Sequence, residues 1–115
     1  MNNHDEPLSV INYDQALENA GGEQAIFRAV SDSAMQEIPV LFRQFTKAVQ
    51  GQQQREAERL AHTIKGAARV IAAERTIAIA ERIELAASSG DFTVCHEMIP
   101  SLASVIDELR SELNS

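Results

Sequence analysis

Apolar residues recur three and four positions apart through most of this sequence, and this spacing predicts helices rather than strands. Residues at that spacing share one side of a helix, whereas a half-buried strand would place them at every second position. The clearest stripe lies near the end of the chain and consists of Cys95, Met98, Ile99, Leu102, Val105, Ile106, Leu109 and Leu113. Hydrophobic residues make up 44% of the sequence and aromatic residues only 4%, so the core is built from Leu, Ile, Val, Ala and Met. This composition suits packed helices better than a sheet sandwich.

Glycine and small polar residues divide the apolar pattern into five predicted helices. Glycine commonly follows the end of a helix, and aspartate commonly caps the start of one. The predicted limits are a start at Asn12 or Tyr13 with a stop at Gly21-Gly22, a segment over 23–50 ended by Gly51, a helix opened by Gln52, a helix ended by Ser88-Ser89-Gly90, and a last helix capped by Asp91.

Two internal prolines and one unusually long stretch bear on the limits of these helices. Pro39 predicts a kink or a break between Met35 and Pro39, because proline lacks an N–H and clashes with the preceding turn. For the same reason Pro100 predicts a bend in the last helix or a later start for it. Ala72-Ala73-Glu74-Arg75 contains no glycine, proline or strong cap, so on propensity alone residues 52–88 could form one helix, but that helix would far exceed the usual length of about 11–12 residues. We therefore place a turn near residues 72–74.

These segments predict an all-α fold, an antiparallel up-and-down four-helix bundle with a short additional N-terminal helix. A chain of 115 residues has room for one core of helices. Residues 1–10 are polar and are predicted to be a tail or linker, and residues 11–115 are predicted to form the bundle domain. The sequence has no run of transmembrane length, its first residues have neither the positive region nor the apolar run typical of a signal peptide, and Cys95 is its only cysteine. We expect a cytoplasmic location.

The third predicted helix carries an exposed histidine beside a lysine and a glycine. Its apolar stripe places His62 about 140° from the centre of the buried side, at the rotation per residue of an α-helix. Lys65 and Gly66 follow three and four positions later, where helical side chains stand beside one another. Gly66 in mid-helix costs about 0.5–1 kcal/mol relative to alanine, which is understandable if another molecule approaches closely. We interpret this group as a site for carrying a phosphoryl group. The stripe consists of Ala57, Leu60, Ala61, Ile64, Ala68 and Ile71.

The segment His62-x-x-Lys65-Gly66 resembles the signature of histidine-containing phosphotransfer (HPt) domains of multistep two-component signalling. The residues around it are small, as in that family. The resemblance extends over residues 13–113 and includes Gly21-Gly22, Ala80-x-x-Ile83-Glu84 and Gly90-Asp91.

The resemblance implies a role for each residue of the motif. His62 would be the phosphoacceptor, Lys65 would stabilise the phosphate, and Glu84 would orient the imidazole by bonding its Nδ1 so that Nε2 is the nucleophile. The implied partner-binding residues around them are Glu58, Arg59, Gly66, Ala67 and Arg69. The chain departs from the family at Arg69 and Ala72, where HPt domains often carry glycine.

The resemblance also implies a phosphoryl carrier that takes the group from a receiver-domain aspartate and passes it to another receiver. The sequence has no Gly-rich phosphate loop and no kinase signature, so we predict no enzyme activity and no bound cofactor, with Mg²⁺ supplied by the receiver. The predicted partners are response-regulator receiver domains and a sensor histidine kinase, which is a hybrid kinase in some relays. A net charge of -7 argues against nucleic acid and anionic membrane as partners. We expect a monomer.

Several alternatives remain open from the sequence. His62 would be without function if it were merely exposed or bonded to Glu58 at the i,i+4 spacing. A metal-binding bundle would use Glu-x-x-His motifs, which the chain lacks. A helical adaptor, or a degenerate HPt module that binds receivers without being phosphorylated, needs only the apolar stripes. His4 is predicted to be incidental, and His96 to lie at the edge of the apolar face. The sequence does not specify the cognate receivers, the direction of transfer, or whether the domain stands alone or belongs to a hybrid kinase.

Overall fold

The structure is a computed structural model that describes residues 7–115, so His4 and the start of the predicted tail lie outside the described residues. Helices α2 to α5 form the bundle, with α3 and α5 each packed against both α2 and α4, while α1 packs against α2. The predicted all-α bundle with a short leading helix is confirmed for this part of the chain. The helices are α1 Tyr13–Asn19, α2 Gln24–Gln50, α3 Gln54–Val70, α4 Glu74–Ser88 and α5 Phe92–Leu113.

The core is built from aliphatic side chains and alanine, as the composition predicts, with one large aromatic residue, Phe45. Small side chains on α3 and α4 let these two helices approach each other closely. This close packing brings the outer sides of α3 and α4 within reach of each other. The fully or almost fully buried alanines on the two helices are Ala57, Ala61, Ala68, Ala80 and Ala87.

Neither internal proline interrupts its helix. Helix α2 continues through Pro39 and α5 continues through Pro100, so the break in α2 and the late start of α5 are wrong, while the bends stay predictions. Ile38 and Leu41, on either side of Pro39, are both buried. Burial of such a side chain contributes about 1.5–3 kcal/mol, which offsets the loss of about 3 kcal/mol at an internal proline.

The predicted turn between α3 and α4 is confirmed and closes on Ala72, whose φ is +51°. The Ala72 N–H donates to the Arg69 carbonyl at 3.1 Å, and the Ala73 N–H donates to the Ala68 carbonyl at 2.9 Å. This pair of bonds ends a helix around one left-handed residue, a position that usually holds glycine. The turn therefore forms without the glycine that would have marked it in the sequence.

The turn between α2 and α3 has the same arrangement, with Gln52 as its left-handed residue at φ +52°. Gly51 ends α2 as predicted, but its own φ is -86°. Helix α3 consequently begins at Gln54, two residues later than the sequence suggested.

Helix α1 lies against the end of the bundle that holds the α3–α4 turn. The Asn12 N–H donates to the Ala72 carbonyl at 2.9 Å. The Asn19 side-chain amide donates to the carbonyls of Arg69 at 3.2 Å and Val70 at 3.3 Å. These bonds satisfy carbonyl groups at the end of α3 and fix its last turn. None of the helices in residues 7–115 has the length and apolarity needed to cross a bilayer.

Candidate functional site

His62 lies on the outer side of α3, with its side chain 68% exposed. The apolar stripe on the other side of the helix is fully buried, from Ala57 to Ile71. The burial of that stripe turns His62 outward. Its contacts within the chain are therefore made at the edge of the ring that faces α4.

Glu84 on α4 supplies that contact. Its Oε2 lies 2.8 Å from His62 Nδ1, and the Glu84 side chain is 20% exposed. An ionised carboxylate can only accept hydrogen bonds, so the hydrogen in this contact belongs to Nδ1. In the neutral ring Nε2 is then the unprotonated nitrogen. Nε2 has no hydrogen-bond partner within residues 7–115.

Lys65 approaches the other oxygen of the same carboxylate. Its Nζ lies 2.5 Å from Glu84 Oε1, and its side chain is only 13% exposed. The two groups form a close ion pair. Glu84 thus holds the imidazole with one oxygen and the ammonium with the other. This second contact was not among the predictions from the sequence, although Lys65 lies on the α4-facing side of α3 by its helical spacing.

The environment of Glu84 acts on its pKa in two directions. Burial raises the pKa of the carboxyl, but hydrogen bonds and charge interactions with Lys65 and His62 outweigh burial and hold the pKa below its ordinary value. Glu84 is therefore ionised at neutral pH. It can accept the Nδ1 hydrogen under those conditions.

The lowered pKa of Glu84 predicts a loss of stability in acid. Its contribution is fully present above the ordinary pKa of about 4.3 and disappears as the pH falls through the lower folded-state pKa. Glu84→Gln should have a free energy of unfolding that decreases less steeply below about pH 4.3. Urea unfolding from pH 3 to 7 measures this, with Glu97→Gln, an exposed position on α5, as the control. Parallel curves for wild type and Glu84→Gln would contradict the prediction.

The remaining predicted residues differ in their surroundings. Gly66 is exposed, and a Cβ placed on it would meet no atom within 4 Å, so packing inside the chain does not require glycine there. Ala67 is half-buried and Arg69 is exposed. Glu58 is half-buried and does not bond His62, whose Nδ1 contacts Glu84 instead.

Arg59 is not a free cation. Its guanidinium forms an ion pair with Glu56, three positions earlier on α3. Of the residues singled out from the sequence, the structure brings together His62, Lys65 and Glu84, with Gly66 beside them. Within residues 7–115 no three histidine, cysteine, aspartate or glutamate side chains are grouped so that they could hold a metal ion.

Comparisons with known proteins agree with this fold. The model of the Hpt domain family matches residues 29–112. No curated protein matches the chain. Among solved structures, histidine-containing phosphotransfer protein B (HptB) from Pseudomonas aeruginosa PAO1 has a TM-score of 0.85, 13% sequence identity and 94% coverage of each chain. At that identity the likeness shows a shared fold.

Proposed function

The chain belongs to the Hpt domain family, and from this premise we propose that His62 accepts a phosphoryl group from a receiver-domain aspartate and passes it to another receiver. Family membership, which the resemblance predicted, supports a phosphotransfer role in phosphorelay signalling. The assignment to His62 is carried by one observation. Glu84 Oε2 lies 2.8 Å from Nδ1, which leaves Nε2 unprotonated on an exposed ring.

The proposed transfer exchanges one bond to phosphorus for another. The lone pair of Nε2 attacks the phosphorus of the aspartyl phosphate, a P–N bond forms, and the P–O bond breaks with its electrons going to the aspartate carboxylate. The ring keeps its hydrogen on Nδ1 and becomes positively charged. The Glu84 carboxylate stabilises that charge through the same hydrogen bond. The reverse sequence of bond changes delivers the group to the next receiver.

Lys65 has two tasks in this proposal. Its ammonium carries three N–H donors, so one can remain on Glu84 while another reaches a phosphoryl oxygen. The ion pair with Glu84 also favours the ionised carboxylate that Nδ1 requires. Lys65 therefore stabilises the phosphate directly and orients His62 through Glu84.

The chain acts in this proposal as a carrier and not as a kinase. The Mg²⁺ ion that assists transfer comes with the receiver domain, and a sensor histidine kinase supplies the phosphoryl group to the relay. The receiver covers the surface around His62 formed by Glu58, Arg59, Gly66, Ala67 and Arg69. A single copy of the chain provides the complete group of His62, Lys65 and Glu84, so we propose a monomer.

The test is phosphoryl transfer from a phosphorylated receiver in the presence of Mg²⁺. Intact mass and peptide mapping should find an acid-labile phosphate on the peptide that contains His62. Phosphate on another residue would contradict the assignment. Binding of receivers with no labelling of the chain would favour a degenerate adaptor.

Replacement of Gly66 by alanine should separate stability from transfer. The substitution is expected to raise the free energy of unfolding by about 0.5–1 kcal/mol, because alanine suits a helix better than glycine and the space beside Gly66 is open. Transfer from the receiver should become slower, since the added methyl group stands where the partner approaches the ring. Urea unfolding and transfer rates measure the two effects. A more stable variant with an unchanged transfer rate would remove Gly66 from the docking surface.

A further inference from the structure

Two arginines lie in line with His62 on the surface of α3. Arg55 precedes His62 by seven positions and Arg69 follows it by seven, and seven residues make almost two full turns. Each arginine is therefore about 10.5 Å from His62 along the helix axis and on the same side of the helix. Both side chains are exposed.

These two arginines differ from the other cations of α3 in having no partner. Lys65 pairs with Glu84, and Arg59 pairs with Glu56. Within residues 7–115 the side chains of Arg55 and Arg69 form no ion pair and no hydrogen bond. Their donors are available to another molecule, and a guanidinium is well suited to bind carboxylates through paired hydrogen bonds.

The backbone of Arg69 is held in place by two neighbouring elements. Its carbonyl accepts a hydrogen bond from the Asn19 amide of α1 at 3.2 Å and another from the Ala72 N–H at 3.1 Å. Helix α1 lies outside residues 29–112, the part of the chain that matches the family model. The position of Arg69 is thus fixed by an element that the family match does not include.

Because the chain as a whole is negatively charged, binding of an acidic partner depends on local positive charges such as these two arginines. With a net charge of -7, the protein as a whole repels an acidic partner at long range. We propose that Arg55 and Arg69 select receivers whose phosphoaspartate is flanked on both sides by carboxylates, at the spacing of the two arginines. This inference rests on the proposed function and names the chemistry of its partner. The free guanidinium of Arg55 thus contributes to partner selection in place of Arg59, whose guanidinium is paired with Glu56.

Charge reversal at the two positions tests the selection. The probe is a panel of purified receiver domains, each held as its beryllofluoride complex to mimic the phosphoaspartate, and titrated at low and high salt. Arg55→Glu and Arg69→Glu should each weaken the tightest complexes about tenfold at low salt and reduce their salt dependence, because like charges then face each other. Arg82→Glu is the matched control, since Arg82 is exposed and lies two positions from Glu84, on the opposite side of α4. The dissociation constants of the complexes formed by Arg82→Glu should change less than about twofold.

A complementary exchange distinguishes direct pairing from a general charge effect. A receiver in which one flanking carboxylate is replaced by lysine should bind the matching arginine-to-glutamate variant better than it binds wild type. Equal effects of Arg55→Glu and Arg82→Glu would overturn the inference, and so would a panel in which no receiver binds. If receivers bind and Arg55→Glu weakens them, but His62 is never labelled, the inference stands and the proposed phosphotransfer fails. Urea unfolding of each variant excludes loss of the fold as the cause.

Discussion

Replacement of His62 by glutamine is expected to abolish labelling by phosphorylated receivers while the bundle stays folded. Glutamine can keep a hydrogen bond to Glu84, but its amide nitrogen has no basic lone pair with which to attack phosphorus. The imidazole is 68% exposed, so little apolar burial is lost with it. The free energy of unfolding should change by less than about 1 kcal/mol, as is usual for surface substitutions.

The experiment compares labelling and unfolding in the same set of variants. His96→Gln is the control, because His96 is also exposed but lies on α5. It should be labelled at the wild-type rate. Labelling of His62→Gln at a measurable rate would show that another residue carries the phosphoryl group. Loss of labelling together with loss of the fold would instead assign His62 a structural role, which its exposure argues against.

The fold was predictable because its main determinants are local. Apolar spacing identified the helices, and Gly21-Gly22 and Asp91 marked two of their ends correctly. The prediction of a break at Pro39 was wrong, because the burial of Ile38 and Leu41 depends on the neighbouring helices, which a single segment does not reveal. The start of α3 was misplaced because the left-handed residue of the turn is Gln52 and not the adjacent glycine.

The candidate site was predictable only in part. Spacing along α3 placed His62 on the outer side with Lys65 next to it, and the contact with Glu84 came from the resemblance to a family. The Lys65–Glu84 pair joins two helices, and spacing along one helix does not reveal which side chains of the next helix meet it. The Arg59–Glu56 pair stands at the i,i+3 spacing that favours such pairs, but it was not among the predictions. Both bear on function, since they distinguish cations that are occupied from those that are available.

Replacement of Glu84 by alanine should slow transfer far more than it weakens docking. Without the carboxylate, Nδ1 loses the acceptor that keeps its hydrogen in place, and the charged ring formed in transfer loses its counter-ion. We expect the rate at saturating receiver to fall about 10²-fold, the lower end of the range for positioned acid–base groups. The transfer rate of Glu84→Gln should lie between those of Glu84→Ala and wild type, because the glutamine amide oxygen still accepts from Nδ1–H but carries no charge.

The Glu84→Ala variant also leaves the largely buried Lys65 without its partner, so a slower rate alone would not separate orientation from damage to the fold. An unpaired polar group in such a place costs about 1–3 kcal/mol, which urea unfolding will report. The separating measurement is the ¹⁵N chemical shift of the two His62 ring nitrogens, which reports the nitrogen that carries the hydrogen. In Glu84→Ala the hydrogen should redistribute between the nitrogens, whereas in Glu81→Ala, an exposed position one turn earlier on α4, it should remain on Nδ1. An unchanged tautomer with wild-type transfer in Glu84→Ala would leave Glu84 as the ion-pair partner of Lys65 alone.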